Sequence, residues 1–132
     1  MRSSVAPVTS DRFARRVFTG AGIYGIVCLL PMYGVERLLG TMFPPPVTHP
    51  EFFYGFAGVA LAWQLAFLVI GRDPVRYRTL MLPAIVEKIG YGGAVVVLVA
   101  MGRTAAGLLP TAIIDLVLAA SFAVAFARTP VR

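Results

Sequence analysis

The chain has 132 residues, 58% of them apolar and only 14% charged, with a mean hydropathy of +0.81. Soluble domains carry about 25% charge and about 45–50% apolar residues, and a globule of this length has too much surface to hide the excess, which disfavours a water-soluble enzyme and calls for a bilayer. The net charge of +6 is split among short basic clusters between apolar runs, a pattern of membrane topology rather than of nucleic-acid binding.

In chain order, residues 1–17 form a polar arm with Arg2, Arg12, Arg15 and Arg16 against Asp11, read as a frayed or interfacial segment. Four apolar stretches of about twenty residues follow, each about 30 Å long as a helix and long enough to span. They cover about 18–39, 52–70, 80–101 and 108–127, and residues 128–132 form a tail. Unbroken blocks such as Ala94 to Val99 argue against a barrel, whose strands alternate in polarity. The sequence therefore predicts an all-α, integral membrane four-helix bundle. The first apolar run is too long for a cleavable signal peptide and lacks a small-residue cleavage pattern, so the first helix is expected to stay on the mature protein.

Local residues explain the breaks. Pro44, Pro45, Pro46 and Pro50 hold an extended path after the first span. Gly71, Arg72, Asp73 and Pro74 stop the second, and Pro83 and Pro110 fall in first turns, where proline costs little. Pro31 falls inside the first span and predicts a kink. Close helix contacts are expected at small residues: Gly55, Gly58 and Ala62; Gly90 and Ala94; Ala119, Ala123 and Ala127.

Orientation follows from arginine. One side of a four-span layout holds Arg2, Arg12, Arg15, Arg16, Arg72, Arg76, Arg78, Arg128 and Arg132, and the other holds only Arg37 and Arg103. The bias predicts a multi-pass protein of the cell inner (plasma) membrane with both termini cytoplasmic.

Chemistry-bearing residues are few. Cys28 is the only cysteine and His49 the only histidine, so a disulfide within the chain and the usual His/Cys metal sites are absent, and no cofactor motif is evident. A quinone site would leave no motif, since it needs only an apolar slot and one or two hydrogen-bonding groups. Ionisable groups at membrane depth cost about 2.5–3.5 kcal/mol each on insertion scales and normally face the bundle interior with partners. Rise per residue places Glu87 about 10 Å inside the third span, level with Gln64 and Tyr24, with Tyr91 one turn above. This predicts a polar pocket in the cytoplasmic half. Lys88 is expected to snorkel to the headgroups. Asp115 falls at a different level, near the external side, where Glu36 or Arg37 could face it. Glu87 reads either as a structural carboxyl bonded to Gln64, Tyr24 or a loop arginine, or as a ligand-binding or proton-carrying group. Trp63 reads as packing or lipid-facing, and His49 as a solvated loop residue.

Four short helices with cytoplasmic termini, a glycine-rich first helix and acidic residues in later helices resemble the small DoxX-like bacterial membrane proteins. The likeness is one of size and layout over about residues 18–127, with Arg72, Asp73, Pro74, Val75, Arg76, Tyr77 and Arg78 through Glu87 and Lys88 the most distinctive stretch. It implies a fold, and no residue role is carried over. The small multidrug transporters are similar in size and helix number, but place their essential carboxyl in the middle of helix one, where this chain has only Glu36 near the end.

The expected function is binding of a small apolar molecule, lipid or partner in an intramembrane polar pocket formed by Tyr24, Gln64, Glu87 and Tyr91, with Asp115 a further candidate for ligand or proton binding at its own level, and without soluble enzymatic activity. The alternatives are a proton-coupled transporter acting as a homodimer, and an accessory subunit of a larger membrane complex.

Overall fold

The computed structural model describes residues 9–131, and side chains from Asp11 onward. It contains five α-helices: α1 (Thr9–Leu29), α2 (Glu36–Met42), α3 (Pro50–Arg72), α4 (Met81–Ala100) and α5 (Leu109–Arg128), with no strand among the described residues. Four segments are long and apolar enough to cross a membrane: Asp11–Gly34, Pro50–Arg72, Arg78–Ala100 and Ala106–Arg128. Their outward faces carry exposed Val27, Val59, Leu65, Val86, Val97, Ile113 and Val117. Water penalises such a surface and lipid does not. The molecule is a multi-pass membrane helical bundle.

The start of the bundle lies earlier than the arm read over residues 1–17. Helix α1 begins at Thr9, and Ala14 and Phe18 are already fully buried. The arginines of this segment are carried by one turn after another of helix, with Arg15 bonded to Asp11 at 2.8 Å and to the carbonyl of Arg72. Residues 1–8, including Arg2, lie outside the described residues, as does Arg132.

The first apolar stretch is not one kinked helix. Pro31 has no N–H to donate and its ring collides with the carbonyl four residues back. Accordingly α1 ends at Leu29, a 3-10 turn runs Leu30–Gly34, and α2 continues as a separate seven-residue helix. Pro83 and Pro110 sit in the opening turns of α4 and α5. Helix α4 closes on a Schellman pair, Gly102 N–H to Val99 at 3.0 Å and Arg103 N–H to Leu98 at 2.8 Å. That pair requires the left-handed φ of +68° that Gly102 supplies.

Packing divides the bundle into two close pairs, α1 with α3 and α4 with α5, joined mainly through α1 and α5; α3 and α4 touch sparingly. The residues that permit the close approaches differ from those the sequence suggested. A Cβ added at Gly22 would lie 2.8 Å from the Leu68 side chain, and one at Gly92 would lie 2.9 Å from the carbonyl oxygen of Ala112. Gly55 and Gly90 face open space, Gly58 meets only the Tyr33 hydroxyl at 3.5 Å, and Ala62, Ala94, Ala123 and Ala127 are exposed; only Ala119 of that group is buried. Small residues recur on every face of a membrane helix, so the face turned inward is decided by the other residues sharing it. On α5 that face reads Ala112, Asp115, Ala119, Phe122, Ala125.

The apolar core fills only the half of the bundle that carries the termini. Phe18, Phe67 and Phe122 meet there, with ring centroids 4.1 Å apart for Phe18 and Phe122, 5.0 Å for Phe67 and Phe122, and 6.1 Å for Phe18 and Phe67. Ile70, Met81, Ala84 and Ala125 complete it, and Trp63 packs against its edge beside Phe67.

Candidate functional site

Directly past the aromatic core, toward α2, the helices line a half-open cavity of about 380 Å³, within the roughly 300–1,000 Å³ range of small-molecule sites. Its walls are mostly apolar: Leu29 at the end of α1 and Met32 after it, Leu39 and Phe43 of the α2 segment, Phe53, Phe56 and Ala60 on α3, Leu108 before α5. Pro45 and Val47 of the proline-rich loop also line it, so α2 and this loop form the wall opposite the aromatic core. The Phe56 and Tyr91 rings stack at 5.7 Å across the otherwise open seam between α3 and α4.

The polar end of the cavity is made by Glu87, Lys88 and Asp115. Lys88 is 4% exposed, and its Nζ lies 3.2 Å from Asp115 Oδ1 and 3.5 Å from Glu87 Oε2. It also stands 5.3 Å from the centre of the Phe67 ring, so the charged group rests on the aromatic core. Local sequence explains the arrangement. Successive residues of a helix are 100° apart, so Glu87 and Lys88 flank one line along α4, and Asp115 on the inward face of α5 meets the second of them across the tight α4/α5 contact made by Gly92.

The five residues singled out from the sequence, Tyr24, Gln64, Glu87, Tyr91 and Asp115, all line this cavity. Their bonding differs from expectation. Gln64 donates its amide N–H to the carbonyl of Ala60 at 2.9 Å, one turn back on its own helix, and bonds neither Glu87 nor Tyr24. Its Oε1 is buried, has no hydrogen-bond partner among the described residues, and presses against Gly25, where an added Cβ would overlap it. The Tyr91 hydroxyl and Thr111 Oγ1 are 2.9 Å apart, a bond from α4 to α5.

Several expectations are corrected. Lys88 does not snorkel. It starts about 12 Å from Leu80 at 1.5 Å per residue, farther than its stem reaches, and two carboxylates closer by compensate its charge. Asp115 does not pair with Arg37; Arg37 is exposed on α2, and Glu36 accepts a hydrogen bond from Tyr54 at 2.8 Å. The two carboxyls are not at separate depths, because one ammonium touches both. The pocket itself extends from mid-bundle toward α2, not into the half that carries the termini, since the aromatic core occupies that half.

Sequence reasoning missed Lys88 as a member of the site. The available signal was its number: it is the one cation deep in any of the four spans, which hold two deep carboxyls. The contribution of the α2 segment and proline loop carried no such signal. Among the described residues no group of three His, Cys, Asp or Glu side chains is placed to hold a metal ion. His49 lies exposed at the start of α3, 3.2 Å from Glu51. At the other end of the bundle, Arg78 donates to the Thr129 carbonyl at 2.8 Å and stacks 3.7 Å over Phe126, tying the loop before α4 to the end of α5.

Compared with family models, curated proteins and solved structures, the chain matches none.

Proposed function

We propose that this chain is a multi-pass protein of the inner (plasma) membrane, with both termini cytoplasmic, that takes up a small and largely apolar molecule or lipid in the cavity between α2 and the aromatic core. On the arginine bias, the proline loop and α2 then face the external side. We also propose, on size and layout alone, that it stands with the DoxX-like proteins.

One observation carries the binding reading: a cavity of about 380 Å³ with apolar walls ends on a buried Glu87, Lys88 and Asp115 group. Apolar walls with a few convergent polar groups define small-molecule sites generally, and intramembrane charges retained at such cost mark functional pathways. The aromatic core on the far side makes the cavity a dead end rather than a pore. Native mass spectrometry of the protein released from nanodiscs tests the reading. Retention of a discrete small-molecule or lipid mass on a monomer or dimer supports it, and release only as part of a larger assembly makes the chain a subunit instead.

A second reading, proton-coupled transport by a homodimer, is favoured by the surplus of two carboxyls over one ammonium, since the odd carboxyl has a use as a proton carrier. Reconstituted Glu87→Gln protein then loses substrate-driven proton flux, whereas flux equal to wild type removes that reading.

A further inference from the structure

We infer that the ligand of this cavity is a lipophilic organic cation, an amine whose ammonium group sits against Glu87, Asp115 and Gln64 while its apolar body lies along Tyr24, Phe56 and Tyr91. The inference rests on the binding reading above and adds the sign of the ligand's charge. Three independent features of the cavity converge on it.

The first is charge. Glu87 and Asp115 are two acids sharing one base, and no other basic residue lines the cavity among the described residues. With all three groups ionised one negative charge is left over, in surroundings where an uncompensated ion is expensive. Lys88 engages Asp115 through Oδ1 and Glu87 through Oε2, while the two carboxyl side chains keep 12% and 16% of their surface exposed. The carboxyls can take a second cation from the cavity. Lys88 is buried and committed to both, so an anionic ligand gains no partner there and meets like charge.

The second is hydrogen bonding. Gln64 lines the cavity, is 1% exposed and spends its amide on Ala60, which leaves Oε1 without a hydrogen-bond partner among the described residues, whereas Glu87 Oε2 already has the Lys88 ammonium 3.5 Å away. An unmet buried acceptor is costly, and the Gln64 oxygen calls for a donor. An ammonium brings up to three N–H donors and accepts none, whereas an ether, ketone or ester brings only further acceptors.

The third is the wall. Tyr24, Phe53, Phe56 and Tyr91 line the same cavity as the acidic end, and aromatic rings attract cations, most strongly when both are desolvated. A bare metal cation would instead need several oxygen ligands, and no cluster of that kind is present among the described residues. An apolar body with a charged amine end matches the apolar walls and the acidic end together.

The test uses the full chain in nanodiscs of zwitterionic lipid, titrated with three probes sharing one alkyl chain: dodecylamine, dodecanol and dodecanoate. Retained adducts are read by native mass spectrometry, with sodium present throughout. Dodecylamine is expected to bind at least about tenfold more tightly than dodecanol, a difference of about 1.4 kcal/mol, and dodecanoate least. Glu87→Gln, a change of near-equal shape, is expected to erase the preference for the amine. Dodecanol binding as tightly as the amine, dodecanoate binding tightest, or specific sodium retention in place of the amine overturns the inference while leaving a ligand-binding cavity in place. An amine preference unchanged in Glu87→Gln overturns it too, by placing the adduct elsewhere. Retention of none of the three removes both the inference and the binding reading beneath it.

Discussion

Lys88 Nζ lies 3.2 Å from Asp115 Oδ1, a bond between neighbouring helices made near the middle of the membrane span by residues 27 apart in sequence. It does two things at once. It fixes the register of α4 on α5, and it supplies the polar end of a cavity that α1 and α3 close from the other side. A buried ion pair of this kind adds little to stability over a well-packed apolar pair, but removing one partner leaves the other exposed to the full desolvation cost.

Removing the partners singly and together should separate those terms. Lys88→Met leaves two carboxyls facing each other and is expected to destabilise the bundle by about 3 kcal/mol. Adding Asp115→Leu to the same chain should recover at least half of that loss, since the packing of α4 on α5 through Gly92 and Ala112 remains. Unfolding by denaturing detergent in bicelles reads both values. A double variant as damaged as the sum of its parts would mean that the pair is not coupled.

Gly25 is expected to tolerate no side chain while Gln64 is present, because a Cβ there overlaps Oε1 of that residue. Gly25→Ala should cost about 1–3 kcal/mol as an overpacked contact, and Gln64→Ala should relieve most of the cost in the double variant. Gly90→Ala is the control. Nothing lies within 4 Å of the place its methyl group would take, so the change is expected to stay within about 0.5 kcal/mol. The same denaturing-detergent unfolding reads all three variants, and equal losses at Gly25 and Gly90 would refute the contact.

Cys28 reports on the cavity without any substitution, being the only cysteine of the chain, exposed, and part of the lining. Its reaction with N-ethylmaleimide in nanodiscs should slow several-fold when dodecylamine is bound, and Cys28→Ser should abolish labelling. An unchanged rate at saturating amine would place the amine outside this cavity.

The topology proposed from arginine is open to direct labelling. In a Cys28→Ser background, Thr48→Cys in the proline loop should react with an impermeant maleimide added outside intact cells. Arg76→Cys, between α3 and α4, should react only after permeabilisation. The reverse pattern would invert the protein and open its cavity toward the cytoplasm.

How much of this was readable beforehand depends on the range of the interaction concerned. Spans were legible because a bilayer acts on each helix separately: about twenty apolar residues suffice, whatever the neighbours do. The break at Pro31 was legible in place but not in degree, since a proline cannot say whether the chain resumes the same axis or, as α2 does, starts another. The five candidate site residues were found by the cost of polarity at depth, which is also a local argument. Lys88 was misplaced because snorkelling is the solution open to a lysine on an isolated helix; a partner on the next helix changes the answer.

Composition and hydropathy by themselves determined that this is a helical, multi-pass membrane protein, which residues interrupt its spans, and which side chains are too polar to face lipid. Only the tertiary structure decided which glycines face a neighbour, that Glu87 and Asp115 share one ammonium, and that the aromatic core fills one half of the bundle and leaves a cavity in the other. The reason is physical. Partition into a membrane is a sum over residues of one segment, whereas packing and charge pairing depend on which faces of different helices meet, and small residues recur on too many faces for the sequence to choose among them.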